Sequence, residues 1–194
     1  APLPATPARA LEVGEGQRLL HMQQEVEAVA TELQAERVLM DGMATVDAVI
    51  AVARQADVLH LACHGEFRGD NPRFSALHLG DGLLSAAAVE TLRLPARLVV
   101  LSACETGRTQ TAAGDEGLGL VRAFQLAGAR DVVASLWAVD DEATAHFMTA
   151  FYRGWGRGRL DVATALQQAR QAMRRRWPHP FYWAAFQGYA RADL

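Results

Sequence analysis

The chain has 194 residues, 51% of them hydrophobic and 21% charged, with a formal net charge of −3. That length suits one ordinary domain with a sizeable core, and the slightly acidic balance lacks the basic excess of a nucleic-acid or anionic-membrane binder. The two cysteines, the absence of a signal-peptide pattern and the absence of any apolar run near the roughly 20 residues that span a bilayer predict a cytoplasmic, reducing environment. Neither a membrane nor a nucleic acid is expected as a direct partner.

Residues 1–21, with three prolines and many small residues up to Gly16, read as an irregular lead-in or the start of a fragment, with little order before Glu15. From Met22 the apolar positions Met22, Val26, Val29 and Leu33 follow a helical repeat, and residues 37–40 read as a short strand. Thr45 predicts an N-cap for a helix whose stripe is Val46, Val49, Ile50 and Ala53. Residues 57–65 then form a buried strand ending in His64 and Gly65. Gly, Asp, Asn and Pro fill residues 66–81 and predict turns around a short strand at 77–79, a loop that would wall the end of the preceding strand. Ser85 predicts the cap of a short helix reaching Leu92. A second continuous apolar run, 98–107, ends in Cys104, Glu105, Thr106 and Gly107. After a polar connection, Leu120, Val121 and Phe124 mark the inner side of a helix, and residues 131–137 read as another buried strand. Val162, Leu166, Ala169 and Met173 define a last amphipathic helix, followed by a final strand within 181–189. This alternation predicts an α/β domain with a mostly parallel central sheet flanked by helices.

In open α/β sheets, ligands and chemistry collect outside the carboxyl ends of the strands. If the strands ending at His64 and Cys104 are neighbours, an imidazole and a thiol meet there. A thiol becomes a useful nucleophile beside an imidazole, with backbone N–H groups to hold the oxyanion, and Gly65 and Gly107 let the backbone approach a substrate closely. The competing account is a cysteine buried for packing, which spacing alone leaves open. A metal site at His60, Cys63 and His64 is disfavoured, because on a strand the two histidines lie roughly 13 Å apart and Cys63 points to the opposite face. The segment 114–119 is glycine-rich but lacks a Gly-Lys-Ser/Thr ending and sets Asp115 and Glu116 where phosphate would sit, so a groove wall or helix cap fits it better. Arg174, Arg175 and Arg176 end the last helix, where cations suit the dipole and face water; a docking patch is the alternative. Trp177, Trp183 and Phe186 read as core.

Five ordered blocks carry a resemblance: Leu59-His60-Leu61-Ala62-Cys63-His64-Gly65, Leu101-Ser102-Ala103-Cys104-Glu105-Thr106-Gly107, Gly114-Asp115-Glu116-Gly117, Leu136-Trp137-Ala138-Val139-Asp140-Asp141 and His179-Pro180-Phe181-Tyr182-Trp183-Ala184-Ala185-Phe186. Together, over about residues 22–190, they resemble the CHAT domain, caspase-like and separase-like cysteine peptidases of bacterial type often found beside tetratricopeptide repeats. The resemblance implies a three-layer caspase-like (caspase–haemoglobinase) α/β fold, no cofactor and no metal. It implies a cysteine endopeptidase with His64 as base, Cys104 as nucleophile and the backbone N–H groups of Gly65 and Cys104 as oxyanion donors. Such enzymes work as a dyad, so no orienting carboxylate is assigned, with Glu105 and Asp115 left as candidate helpers.

The segment 137–141 further resembles the separase stretch whose acid lies at the base of the primary specificity pocket. That assigns Asp141, with Asp140 as its near neighbour, and a preference for Arg or Lys before the scissile bond. The other account is a helix N-terminus, where either residue caps and opposes the dipole. Ser102 and Glu116 complete the candidate substrate-binding set. Expected partners are a protein or peptide substrate and a regulatory protein or tetratricopeptide-repeat region. Relative to the family, the segments usually preceding the Met22 helix are lacking, which suggests a fragment or a self-cleavage product. Two other readings are a catalytically silent caspase-like scaffold for protein interactions and a flavodoxin-like nucleotide binder.

Overall fold

A strand that is apolar on both faces must be covered on both, and the computed structural model of the chain shows how. It describes residues 9–12, 19–105, 118–137, 139–157 and 159–191, with the side chains of 9–12, 19–22, 103–105 and 157 outside that description. In chain order the elements are β1 (Arg9–Glu12), α1 (Leu19–Leu33), β2 (Arg37–Leu39), α2 (Val46–Ala53), β3 (Val58–Glu66), β4 (Ala76–Leu79), β5 (Gly82–Ser85), α3 (Ala86–Val89), β6 (Leu98–Glu105), α4 (Leu118–Ala127), β7 (Asp131–Ser135), α5 (Asp141–Tyr152), α6 (Val162–Met173) and β8 (Phe186–Ala190).

The strands run β2-β1-β3-β6-β7-β8 across the sheet, with β4 paired to β3 and β5 to β4. The pairs β1/β2, β1/β3, β3/β6 and β6/β7 are parallel, whereas β3/β4, β4/β5 and β7/β8 are antiparallel. The mostly parallel sheet flanked by helices is therefore as the alternation predicts. Period-two alternation divides the core in two. Leu59, Leu61, Cys63, Val99 and Val132 bury against α2, α3 and α4, where Val49, Val52, Val89, Leu120 and Phe124 meet them. Val58, Ala62, Val100 and Val133 bury on the other face beneath Val26, Val29, Phe147, Phe151 and Leu166 of α1, α5 and α6.

The helices start where a side chain can accept an orphan backbone N–H. Thr45 Oγ1 accepts from Ala48 N at 3.2 Å and Ser85 Oγ from Ala88 N at 3.2 Å, as their sequence positions predict. Asp161 accepts from Thr164 N at 2.9 Å, and those contacts hold its exposed carboxyl below the ordinary range.

Several boundaries differ from expectation. The irregular lead-in predicted over residues 1–21 needs correction, because Arg9–Glu12 is a strand between β2 and β3 and α1 begins at Leu19. Arg9-Ala10-Leu11-Glu12 carries too little apolar alternation to signal a strand; ladder pairing along both its edges makes it one. A strand, β5, fills the stretch between the predicted turns and the cap at Ser85; α3 stops at Val89 where a helix to Leu92 is predicted, and β7 stops at Ser135 where a strand to 137 is predicted. Residues 180–182 form a 3-10 turn, so the last strand begins only at Phe186.

Candidate active site

The register between β3 and β6 makes His64 and Cys104 Cα partners, and Gly65 and Glu105 the next pair. Neighbouring strands lie roughly 4.8 Å apart, and residues at one register of a parallel pair occupy the same face. The Cα positions of His64 and Cys104 thus adjoin at the carboxyl rim of the sheet, where His64 is on the strand face covered by α1, α5 and α6. His64 is half-buried, while Gly65 is buried between Leu77 of β4 and Glu105 of β6. Ser102, 8% exposed, is two residues before Cys104 on the same face and opposite Ala62. The Cys104 and Glu105 side chains, and residues 106–117 with Asp115 and Glu116, lie outside the described residues.

Among the described residues, the connections after β3 and β7 leave the sheet at this carboxyl rim. After β3, Arg68 donates to both oxygens of Asp70, at 3.0 and 2.9 Å, and the guanidinium holds that exposed carboxyl below its ordinary range. Arg68 N donates to buried Ser75 Oγ at 3.0 Å, and Phe74, in the 3-10 turn just before it, is 61% exposed. Gly119, in the first turn of α4, is where that helix meets this loop: a Cβ there would stand 2.6 Å from Pro72 O. After β7, Leu136 N donates to Ala185 O at 2.8 Å and the Trp137 indole N–H donates to Phe181 O at 3.0 Å. These contacts set the approach to α5.

Asp140 is the N-cap of α5: its carboxylate accepts from Ala143 N at 3.1 Å, and Thr144 Oγ1 donates to its backbone oxygen at 3.1 Å. Asp141 follows in the first helical turn, half-buried. The capping account therefore holds for Asp140.

Beneath the rim lies a polar chain. His60, 0% exposed, shares the face of His64; its Nε2 lies 3.1 Å from Glu25 Oε1 of α1 and its Nδ1 lies 3.0 Å from Tyr152 Oη of α5. A carboxylate can only accept, so with a neutral ring Nε2–H donates to Glu25 and the Tyr152 hydroxyl donates to Nδ1. Burial and the nearby Glu25 raise the phenol's proton affinity well above its ordinary level. Glu25 and Tyr152 are absent from the sequence-based candidates. The available signal was His60 itself, since a histidine in the middle of a buried strand needs partners.

Cys63 is 3% exposed on the opposite face among Leu59 and Leu61, so it does not join His60 and His64. Among the described residues, no group of three His, Cys, Asp or Glu side chains is placed to hold a metal, and no helix is long and apolar enough to cross a membrane. The terminal arginines do more than face water. Arg176 donates to Glu142 of α5 at 2.6 Å and lies over Trp177, and Arg174 lies over Trp183. Phe186 is core, whereas Trp177 and Trp183 pack against it half-buried.

Comparison with known proteins bears on the fold and the family. Crystal structures of the Saccharomyces cerevisiae separase–securin complex superpose with a TM-score of 0.64 at 14% identity, covering 96% of this chain and 12% of the other for one of them. At that identity the likeness establishes the fold, which is that of the caspase-like domain of separase. Tetratricopeptide repeat protein 28 of Homo sapiens is 37% identical over 127 residues, 64% of this chain and 5% of the relative. Its Mus musculus counterpart is 28% identical over 198 aligned positions, 81% of this chain and 8% of the relative. The chain thus spans a small part of the curated relatives it matches. The CHAT domain family model matches residues 6–191, which takes in β1 as well as the five blocks. The chain belongs to the CHAT domain family.

Proposed function

We propose that this chain is a cysteine endopeptidase acting through a Cys104/His64 dyad. The observation that carries the reading is the β3/β6 register, which brings these two positions together at the carboxyl rim of the sheet. His64 takes the thiol proton, the sulfur bonds to the scissile carbonyl carbon, and backbone N–H groups of Gly65 and Cys104 stabilise the oxyanion. The C–N bond breaks as the amine receives that proton from His64. Water, deprotonated by His64, then attacks the thioester and releases the acid and the thiol. Asp141, in the first turn of α5, is the pocket acid that selects Arg or Lys, with Asp140 beside it as the helix cap; Ser102 and Glu116 complete the substrate groove. A reducing, cytoplasmic setting suits a catalytic thiol. The repeat proteins among the relatives support control of the site by a repeat region or another protein partner.

Incubation with peptides bearing Arg, Lys, Asp or Leu before the scissile bond tests the reading. Cleavage after Arg and Lys that disappears in Cys104→Ala is expected; cleavage that survives this substitution rejects the assignment. The relatives are named for their repeats, which favours as second reading a silent scaffold that binds partners. A Cys104 thiol no more reactive than an ordinary exposed thiol would support that scaffold.

A further inference from the structure

Two of the three helices over the face that carries His64, α1 and α5, rest on the sheet largely through apolar side chains: Val26 and Val29 from α1, and Phe147, Met148 and Phe151 from α5. Apolar packing is non-directional, and packed helices can slide by small amounts along a core. Arg153 donates to Glu32 at 2.8 Å, but that contact ties α5 to α1 and neither helix to the sheet. Hydrogen bonds are different, because their tolerance is a few tenths of an ångström. A slip of one residue along a helix, about 1.5 Å, would pull Tyr152 Oη or Glu25 Oε1 away from His60 and leave a fully buried polar group unpaired.

We propose that Glu25, His60 and Tyr152 form a register pin that fixes the axial positions of α1 and α5 on β3 and so sets the distance between Asp141 and His64. The imidazole is bonded on both ring nitrogens, one to each helix, at 3.1 and 3.0 Å, and His60, Tyr152 and Glu25 are 0%, 0% and 4% exposed. His60 is on the same strand face as His64, roughly 13 Å away. Tyr152 ends the helix that Asp141 begins, roughly 16 Å along its axis. All three are positioning residues, remote from the reacting atoms. Only the consequence for substrate choice rests on the peptidase reading; the pin does not.

Amide hydrogen exchange on the full chain tests it. Tyr152→Phe keeps the ring and removes the hydroxyl. It is expected to speed exchange about tenfold at residues 143–146 of α5 and through α1, with α2 and α4 on the opposite face unchanged. Glu25→Ala should do the same, while Glu25→Gln, whose amide oxygen still accepts from His60, should stay near the parent protein. That pair carries the test if Tyr152→Phe fails to fold. Faster exchange confined to the last turn of α5, or spread equally over α2 and α4, overturns the pin and leaves a local or global stability effect. With the expected exchange pattern, a fall of about tenfold in Arg-over-Leu cleavage at an unchanged Cys104 alkylation rate confirms the consequence for Asp141. An unchanged cleavage ratio instead supports the pin and removes Asp141 from substrate selection.

Discussion

Asp140 and Asp141 are adjacent acids, one the cap of α5 and the other the proposed pocket acid, and substitution tests that division. Asp140 accepts the Ala143 N–H that would otherwise have no intrahelical partner. Asp140→Ala should therefore lower stability by about 1 kcal/mol, read as a shift in the urea unfolding midpoint. Asp141 is past the cap, where a carboxylate adds only about 0.3–1 kcal/mol through the helix dipole. Asp141→Ala should reduce cleavage after Arg relative to cleavage after Leu. If Asp141→Ala leaves that selectivity unchanged, both acids belong to the helix terminus alone.

At the scale of elements, what the sequence discloses depends on how much of the folding information is local. β3, β6 and β7 are legible because burial on both faces leaves an unbroken apolar run, and α6 because Leu166, Ala169 and Met173 repeat on one side. β1 and β5, with Arg9 and Glu12 at the ends of one and Gly82 and Ser85 at the ends of the other, carry too few apolar residues to signal a strand and exist through their pairing partners. The candidate dyad is legible in outline because each residue closes an apolar run, whereas the His60 partners lie 35 and 92 residues away in sequence and become neighbours only through the fold. Exposure is equally hidden. Phe147 and Leu126 are both apolar helical residues, yet Phe147 is 0% exposed and stacks on Phe186 with ring centroids 4.6 Å apart, while Leu126 is 61% exposed. Phe147→Ala should cost about 3–5 kcal/mol by opening the joint between α5 and β8. Leu126→Ala should stay within about 0.5 kcal/mol. Equal costs in chemical denaturation would contradict the division of the two helices into core and solvent faces.

Across the whole molecule, the sheet separates two interiors of different character. The side covered by α2, α3 and α4 is apolar, with Cys63 packed as a small hydrophobe. The opposite side carries His60, His64 and Ser102 along two adjacent strands, so its apolar packing is interrupted by groups that need partners or substrate. A single pleat step divides Cys63 from His64, and this makes Cys63 an internal control for the candidate nucleophile. For iodoacetamide to reach Cys63, the helical layer must part from the sheet, an opening that costs a large share of the global stability. The native protein should thus take up one label quickly, at Cys104, and the second only under unfolding conditions. His64→Ala should slow the first labelling by removing the imidazole that favours the thiolate, and leave the second unchanged. Mass spectrometry of the labelled peptides reads both. Rapid native labelling at Cys63 would mean that the apolar half of the molecule opens far more readily than its burial allows, and a first label indifferent to His64→Ala would dissolve the dyad.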